Sequence, residues 1–160
     1  MGDDMKNKNL IIALIICVIS FVGFILALNS YNKSKEFVKP EFEKNVIEGM
    51  PSLSKEEGFD EFEVSEDYII YMTGETKLSD NKLTVYFTSK KTNNVYVKLR
   101  VLKEEKVVGE TGLLKPGEYI KEVKLNKSLQ KDDKITLKVM GYEPDTYYSA
   151  GSISLNTKVW

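Results

Sequence analysis

Residues 82–102 read KLTVYFTSKKTNNVYVKLRVL, and apolar and polar side chains alternate along both halves of this stretch. The apolar positions are Leu83, Val85 and Phe87 in the first half and Val95, Val97, Leu99 and Val101 in the second. A period of two is typical of a strand that buries one face. The stretch therefore predicts two half-buried strands, separated by the turn residues Thr92-Asn93-Asn94.

The same period recurs on both sides of this stretch. Further strands are predicted over residues 68–73, 106–110, 119–125, 134–140 and 152–159, with these core residues: Ile120, Val123, Leu125, Ile135, Leu137, Val139, Ile153, Leu155 and Val159. Pro116-Gly117 fits a type II turn, because Pro fixes the first φ and Gly accepts the positive second one. About seven one-sided strands at this spacing favour a mainly β fold, an immunoglobulin-like antiparallel β-sandwich.

The composition excludes most familiar catalytic and metal chemistry. The chain of 160 residues contains no His, and its only Cys, Cys17, lies inside an apolar run. Catalysis by a Ser-His-Asp or Cys-His system needs a His, and zinc sites need His or clustered Cys ligands. We therefore expect a non-catalytic protein without a cofactor or a metal.

The charges argue against a nucleic-acid partner. The chain has 23 Lys and Arg against 24 Asp and Glu, and Arg100 is its one arginine. Nucleic-acid binding depends on a basic field, and bidentate recognition of phosphate depends on arginine. We expect no nucleic acid among the partners.

An uncharged apolar run occupies residues 10–28, LIIALIICVISFVGFILAL. At about 1.5 Å per residue, this length spans the roughly 30 Å hydrocarbon core of a bilayer. A cleaved signal peptide is the alternative, although its apolar region is typically only about 7–15 residues long. The run predicts one transmembrane helix over residues 10–28 that acts as an uncleaved signal anchor, with residues 1–9 as a cytoplasmic tail.

The flanking charges point the other way. Lys6 and Lys8 precede the run, whereas four lysines follow it: Lys33, Lys35, Lys39 and Lys44. Cytoplasmic flanks normally carry the excess of positive charge, but long domains translocate largely regardless of it. We expect the C-terminal domain outside the cell membrane, and the inverted orientation stays open.

Residues 29–66 predict a stalk between the anchor and a β-sandwich domain at 67–160. Pro40 and Pro51 punctuate this segment, and its last third is strongly acidic, which is typical of a solvated spacer. A short helix is predicted around residues 41–49, with Gly49 as its end.

Two segments of the C-terminal half carry a resemblance. GETGLLKPGEYIKEVKL (Gly109–Leu125) and ITLKVMGYEPDTYYSAGSISLNT (Ile135–Thr157) resemble small proteins of low-GC Gram-positive bacteria, often encoded on mobile elements. In these proteins, one N-terminal membrane helix carries an extracytoplasmic β-sandwich. The resemblance implies location and fold, and it brings no catalytic residue or assigned activity.

The candidate binding site is the segment 141–151, GYEPDTYYSAG, which holds three Tyr and two carboxylates between glycines. The residues singled out are Tyr142, Glu143, Asp145, Tyr147 and Tyr148. Exposed Tyr rings offer rigid, amphipathic contact area to a protein or a sugar face. Tyr rings in sandwich loops also pack on the edge of the core, so a structural role stays open.

A second candidate is an intramolecular amide bond between Lys77 and Asn156 beside the carboxylate of Glu110. Surface proteins of Gram-positive bacteria use this combination of residue types. Solvent-facing Lys and Asn side chains are the ordinary alternative.

These observations favour a single-pass envelope protein whose sandwich contacts a protein partner of the cell envelope, within a mobile-element transfer or secretion apparatus. The alternative is a module that binds cell-wall glycan or inhibits a protease through the segment Tyr142–Tyr148.

Overall fold

The computed structural model describes residues 15–25, 37–53, 58–64 and 68–160, and it divides the chain into two compact units. In the first unit, Met1–Val38, residues 15–25 are helical. The remainder of the predicted anchor and the predicted cytoplasmic tail lie outside the described residues. Within the described ranges, no helix combines the length and the apolar character that a membrane span requires.

In the second unit, Lys39–Trp160, the described residues form ten strands. They are β1 (Ile47–Glu48), β2 (Phe59–Val64), β3 (Tyr68–Thr73), β4 (Lys77–Ser79), β5 (Lys82–Ser89), β6 (Tyr96–Lys103), β7 (Lys106–Glu110), β8 (Glu118–Lys124), β9 (Lys134–Tyr142) and β10 (Ser149–Lys158). All seven strands predicted from the period of two are present. β1, β2 and β4 were not predicted.

The strands form two antiparallel sheets. The first sheet has the order β1-β8-β5-β3-β2, with β4 paired to β5. The second has the order β10-β9-β6-β7. The prediction of a mainly β fold with two antiparallel sheets is therefore confirmed, and the part of the chain that the structure describes has ten strands where about seven were expected.

One core fills the space between the sheets. β5 contributes Leu83, Val85 and Phe87, and β6 contributes Val97, Leu99 and Val101, all fully buried. Of the other predicted core residues, Ile153 and Leu155 are only half-buried, because β10 lies at the edge of its sheet. Each fully buried side chain of this size contributes about 1.5–3 kcal/mol to folding.

The predicted boundary between stalk and domain at residue 66/67 is wrong, because the compact unit begins at Lys39. β2 lies within the predicted stalk, but it pairs along its length with β3 and buries Phe59 and Val64. β1 pairs with β8.

The predicted helix at 41–49 is also wrong. Residues 41–43 lie extended beside Leu113, which donates its N–H to the Glu41 carbonyl at 2.8 Å and accepts the Glu43 N–H at 2.9 Å. Gly112 permits this close approach, since a Cβ there would lie 2.4 Å from the Glu43 nitrogen. Tertiary hydrogen bonds thus replace the local helix.

Candidate functional site

The tyrosine loop, residues 143–148, joins β9 to β10. Its backbone closes on itself: the Tyr147 N–H donates to the Glu143 carbonyl at 2.9 Å, and the Glu143 N–H donates to the Tyr148 carbonyl at 3.0 Å. The Thr146 hydroxyl donates to the Glu143 carboxylate at 2.7 Å and accepts the Tyr148 N–H at 3.1 Å. These four bonds give the loop a fixed shape.

Tyr147 ends a row of three aromatic rings. Its ring centroid lies 6.1 Å from that of Tyr96 on β6, and Phe42 packs edge-on against Tyr96 at 4.9 Å. A cation covers each end of the row, with Lys39 Nζ 4.3 Å from the Tyr147 centroid and Lys115 Nζ 5.2 Å from the Phe42 centroid. We call these three rings the aromatic row. Tyr147 therefore packs against the domain.

Tyr148 faces solvent instead, with 70% of its surface exposed. Tyr147 has a φ of 59°, and this left-handed conformation turns the chain between the two neighbouring rings. Glu143 and Asp145, on the same loop, are also exposed, whereas Tyr142 is half-buried and its hydroxyl lies 3.8 Å from the Met140 sulfur. The two adjacent tyrosines therefore have different surroundings: Tyr147 packs against Tyr96, and Tyr148 is exposed.

A polar hollow lies beside the tyrosine loop. Its volume is about 650 Å³, and its walls include Glu143, Asp145, Asn94 and Ala150. Two of the predicted site residues, Glu143 and Asp145, therefore share one surface with Asn94, which lies in the turn before β6.

The structure does not bring the three residues of the predicted amide bond together. Glu110, on β7, accepts hydrogen bonds from Arg100 at 2.9 Å and Lys98 at 3.1 Å. Asn156, on β10, accepts the Thr136 hydroxyl at 2.9 Å. Two strands separate β7 from β10, which is about 14 Å at the usual strand spacing. Lys77 is exposed on β4, in the other sheet.

The ion pairs of Glu110 change its titration. Partial burial of the carboxylate acts to raise its pKa, but the hydrogen bonds from Arg100 and Lys98 outweigh burial and hold the pKa below its usual value. The Asp133 pKa is also lowered, because Lys103 Nζ at 2.7 Å and the Gln130 N–H at 2.8 Å stabilise its carboxylate. Both carboxylates therefore form ion pairs with lysine or arginine side chains of β6, in the second sheet.

A groove that the sequence did not indicate lies at the opposite end of the second sheet. Its volume is about 790 Å³, and Leu102, Glu104 and Trp160 line it. Lys158 Nζ lies 4.1 Å from the Trp160 ring centroid and 3.2 Å from the Asp132 carboxylate. The lining comes from four separate segments of the chain, so no local motif marks this groove.

Comparison with known proteins identifies no relative of this chain. The chain matches no protein-family model, no curated protein and no solved structure.

Proposed function

We propose that this chain is a non-catalytic, membrane-anchored protein of the cell envelope whose β-sandwich contacts a protein partner through the tyrosine loop. The observation that carries the proposal is Tyr148, which is 70% exposed on a loop held by its own hydrogen bonds. An aromatic side chain on a rigid support costs little entropy when it binds, and such residues dominate protein interfaces.

The N-terminal unit supports the membrane anchor. Along the helix at 15–25, the large apolar side chains are 42% to 66% exposed: Ile15, Ile16, Val18, Ile19, Phe21, Val22, Phe24 and Ile25. A helix that is apolar on all sides suits a lipid environment. It forms the middle of the uncharged run at residues 10–28.

The strand order supports an immunoglobulin-like assignment of the sandwich. The order β10-β9-β6-β7 corresponds to the G-F-C-C′ order of an immunoglobulin sheet, and β8-β5-β3 corresponds to E-B-A. Such domains use the loops at their ends for recognition. The tyrosine loop corresponds to the F–G connection.

Location is tested with protease added to intact protoplasts that contain the full chain. The extracytoplasmic orientation predicts that residues 39–160 are degraded without lysis, while a cytoplasmic control protein survives. Protection of the domain until the membrane is lysed would contradict this orientation and favour the inverted one.

Contact is tested with a photoreactive phenylalanine at position 148 of the full chain in its own cells. We expect one discrete adduct with an envelope protein, identified by mass spectrometry. The matched control carries the same group at Lys127, an exposed site outside the loop, and is expected to give no such adduct. Equal labelling from both positions would remove the support for the loop.

Glycan binding is the second candidate, and the hollow beside the loop is the observation that favours it. Glu143, Asp145 and Asn94 line this hollow and offer the carboxylate and amide groups that bind sugar hydroxyls, on the loop that also carries Tyr148. Retention on purified peptidoglycan that is lost in Tyr148→Ala, with no protein adduct from position 148, would favour this candidate. An adduct with a protease, accompanied by loss of its activity, would favour inhibition.

A further inference from the structure

The segment that opens the second unit is bound to the β7 side of the second sheet. Residues 39–43, which we call the entry segment, contact the sheet through a parallel bridge between Phe42 and Leu113. The next residue, Leu114, pairs with β6, because its N–H donates to the Val97 carbonyl at 2.8 Å. A single stretch of chain therefore connects the entry segment with β6.

Hydrogen bonds fix the entry segment in this position. Its backbone is bonded to Leu113 through the carbonyl of Glu41 at 2.8 Å and the N–H of Glu43 at 2.9 Å. The Gly112 N–H donates to the Glu43 carboxylate at 2.8 Å. Phe42, between these two residues, is half-buried at one end of the aromatic row.

Two contacts connect the entry segment with the tyrosine loop. The first is direct, because Lys39 Nζ lies 4.3 Å from the Tyr147 ring centroid. The second passes through β6: the Phe42 ring lies 4.9 Å from the Tyr96 ring, which lies 6.1 Å from the Tyr147 ring. Both contacts therefore reach the same residue of the loop.

Tyr147 is the strained residue of the loop. Its φ of 59° lies in the left-handed region, which costs energy for a residue with a Cβ. The contacts of its ring with Tyr96 and Lys39 are attractions of the same order as that cost. The hydrogen bonds of the loop close its backbone, and the ring contacts hold Tyr147 against the domain. The outward direction of the next residue, Tyr148, depends on both.

We propose that Lys39 and Phe42 are positioning residues of the contact site, so that docking of the entry segment and binding of the partner at Tyr148 are coupled. The coupling rests on the proposed function, because it regulates the same loop. Displacement of the entry segment releases Tyr147, and the loop loses the shape that presents Tyr148.

This coupling is reciprocal, so a partner bound to the loop holds the entry segment in place by the same factor. The entry segment is the first part of the compact unit, which begins at Lys39. The contact site therefore responds to the position of the chain that immediately precedes the sandwich.

Amide hydrogen exchange of the full chain in detergent micelles tests the coupling without a partner. Phe42→Ala removes the ring and keeps the backbone bonds of the entry segment. We expect exchange of the loop-closing N–H groups of Glu143 and Tyr147 to accelerate about tenfold relative to that of Val139, in the centre of the second sheet. The ratio to Val139 separates a local effect on the loop from a loss of stability of the whole domain.

A second variant and a matched control keep this test independent of folding defects. Lys39→Met changes an exposed side chain and should accelerate the same loop amides about threefold relative to Val139. Glu41→Ala changes another exposed side chain of the same segment and keeps the carbonyl that Leu113 binds, so it should leave the ratio unchanged.

Two results of this experiment would overturn the proposal. One is a loop-to-core ratio that stays unchanged in Lys39→Met and in Phe42→Ala. The other is an equal acceleration in Glu41→Ala, which would show that the loop responds to any change in the segment.

The reverse direction is tested at the entry segment. Tyr147→Ala should accelerate exchange at the Glu43 and Leu113 amides about tenfold relative to Val139. Tyr148→Ala is the matched control and should leave these amides unchanged, because the Tyr148 ring is exposed. Unchanged exchange at both amides in Tyr147→Ala would contradict the reciprocal coupling.

The effect on the partner is measured with the photoreactive group at position 148. Phe42→Ala should reduce the adduct yield per folded molecule about fivefold or more, and Glu41→Ala should leave it unchanged. A yield that is insensitive to Phe42→Ala would overturn the coupling alone. The absence of an adduct from the otherwise unaltered chain would overturn the proposed contact alone, because the exchange ratios are measured without a partner.

Discussion

Individual residues in this protein are distinguished by contacts that their neighbours in sequence lack. Tyr147 packs against Tyr96 with Lys39 above its ring, whereas Tyr148 is exposed. The sequence pattern predicted a tyrosine-rich contact surface but could not separate the two rings. Their difference depends on the positive φ of Tyr147 and on rings from distant parts of the chain.

The turn between β6 and β7 is strained at the residue level. Glu104 and Glu105 have φ values of 50° and 63°, a conformation that costs a residue with a Cβ about 1–2 kcal/mol. Asn-Gly is the preferred pair for such a two-residue hairpin turn. Glu104→Asn with Glu105→Gly should therefore raise the free energy of unfolding by about 1 kcal/mol, measured by chemical denaturation. A fall in stability would show that the two glutamates make contacts that outweigh their backbone strain.

The carboxylates of Glu110 and Asp133 predict a pH dependence of stability. Both pKa values are lowered in the folded protein, so their contribution is fully present above the unfolded-state values of 4.5 and 3.8. It is lost as pH falls through the lower folded-state values. We expect the free energy of unfolding to drop below about pH 4.5. Glu110→Gln should make that drop shallower, and an unchanged pH profile would contradict the role of this ion pair.

At the scale of elements, the alternation of apolar and polar residues identifies the strands that bury every second side chain. It does not identify the strands that form only because a neighbouring strand lies beside them. β5 and β6 bury every second residue, so their period alone identified them. The sequence of β2 predicts a charged spacer instead, because its buried residues, Phe59 and Val64, are separated by three acidic side chains. β1 has two exposed residues and exists because β8 lies beside it.

The docking of residues 41–43 onto Leu113 depends on the absence of a side chain at Gly112. Gly112→Ala would place a Cβ 2.4 Å from the Glu43 nitrogen, so we expect the segment to be displaced and the domain to lose about 1–3 kcal/mol. Faster amide exchange at Glu43 and Leu113 would report the displacement. Gly74→Ala is the matched control, because nothing lies within 4 Å of its Cβ position. Equal effects of the two changes would contradict this packing.

At the scale of the whole molecule, the folded unit is larger than the alternating pattern suggested. It begins at Lys39, which lies against Tyr147, so the chain enters the sandwich at the end that carries the tyrosine loop. The two-sheet architecture could be predicted because most of its strands show the alternating pattern in their own sequence. The boundary could not, because the N-terminal strands are held by contacts with residues far along the chain.

This boundary predicts different behaviour for two fragments. Residues 39–160 should unfold cooperatively, and residues 67–160 should be less stable by several kcal/mol, because they lack the buried Phe59 and Val64. Thermal unfolding followed by circular dichroism compares the two. Equal melting temperatures would mean that residues 39–66 contribute nothing to the fold.

The most direct test of the account is a comparison of Tyr148→Ala with Tyr147→Ala in the full chain, each carrying the photoreactive group at Asp145. For each variant, the yield of the partner adduct and the melting temperature are measured together. We predict that Tyr148→Ala reduces the adduct by about tenfold, or 1.4 kcal/mol, at an unchanged melting temperature, because this ring is exposed in the folded domain and is the proposed contact with the partner. Tyr147→Ala should lower the melting temperature, because it removes the end of the aromatic row. A lower melting temperature in Tyr148→Ala, with the adduct yield per folded molecule unchanged, would contradict the account and assign this ring to the fold.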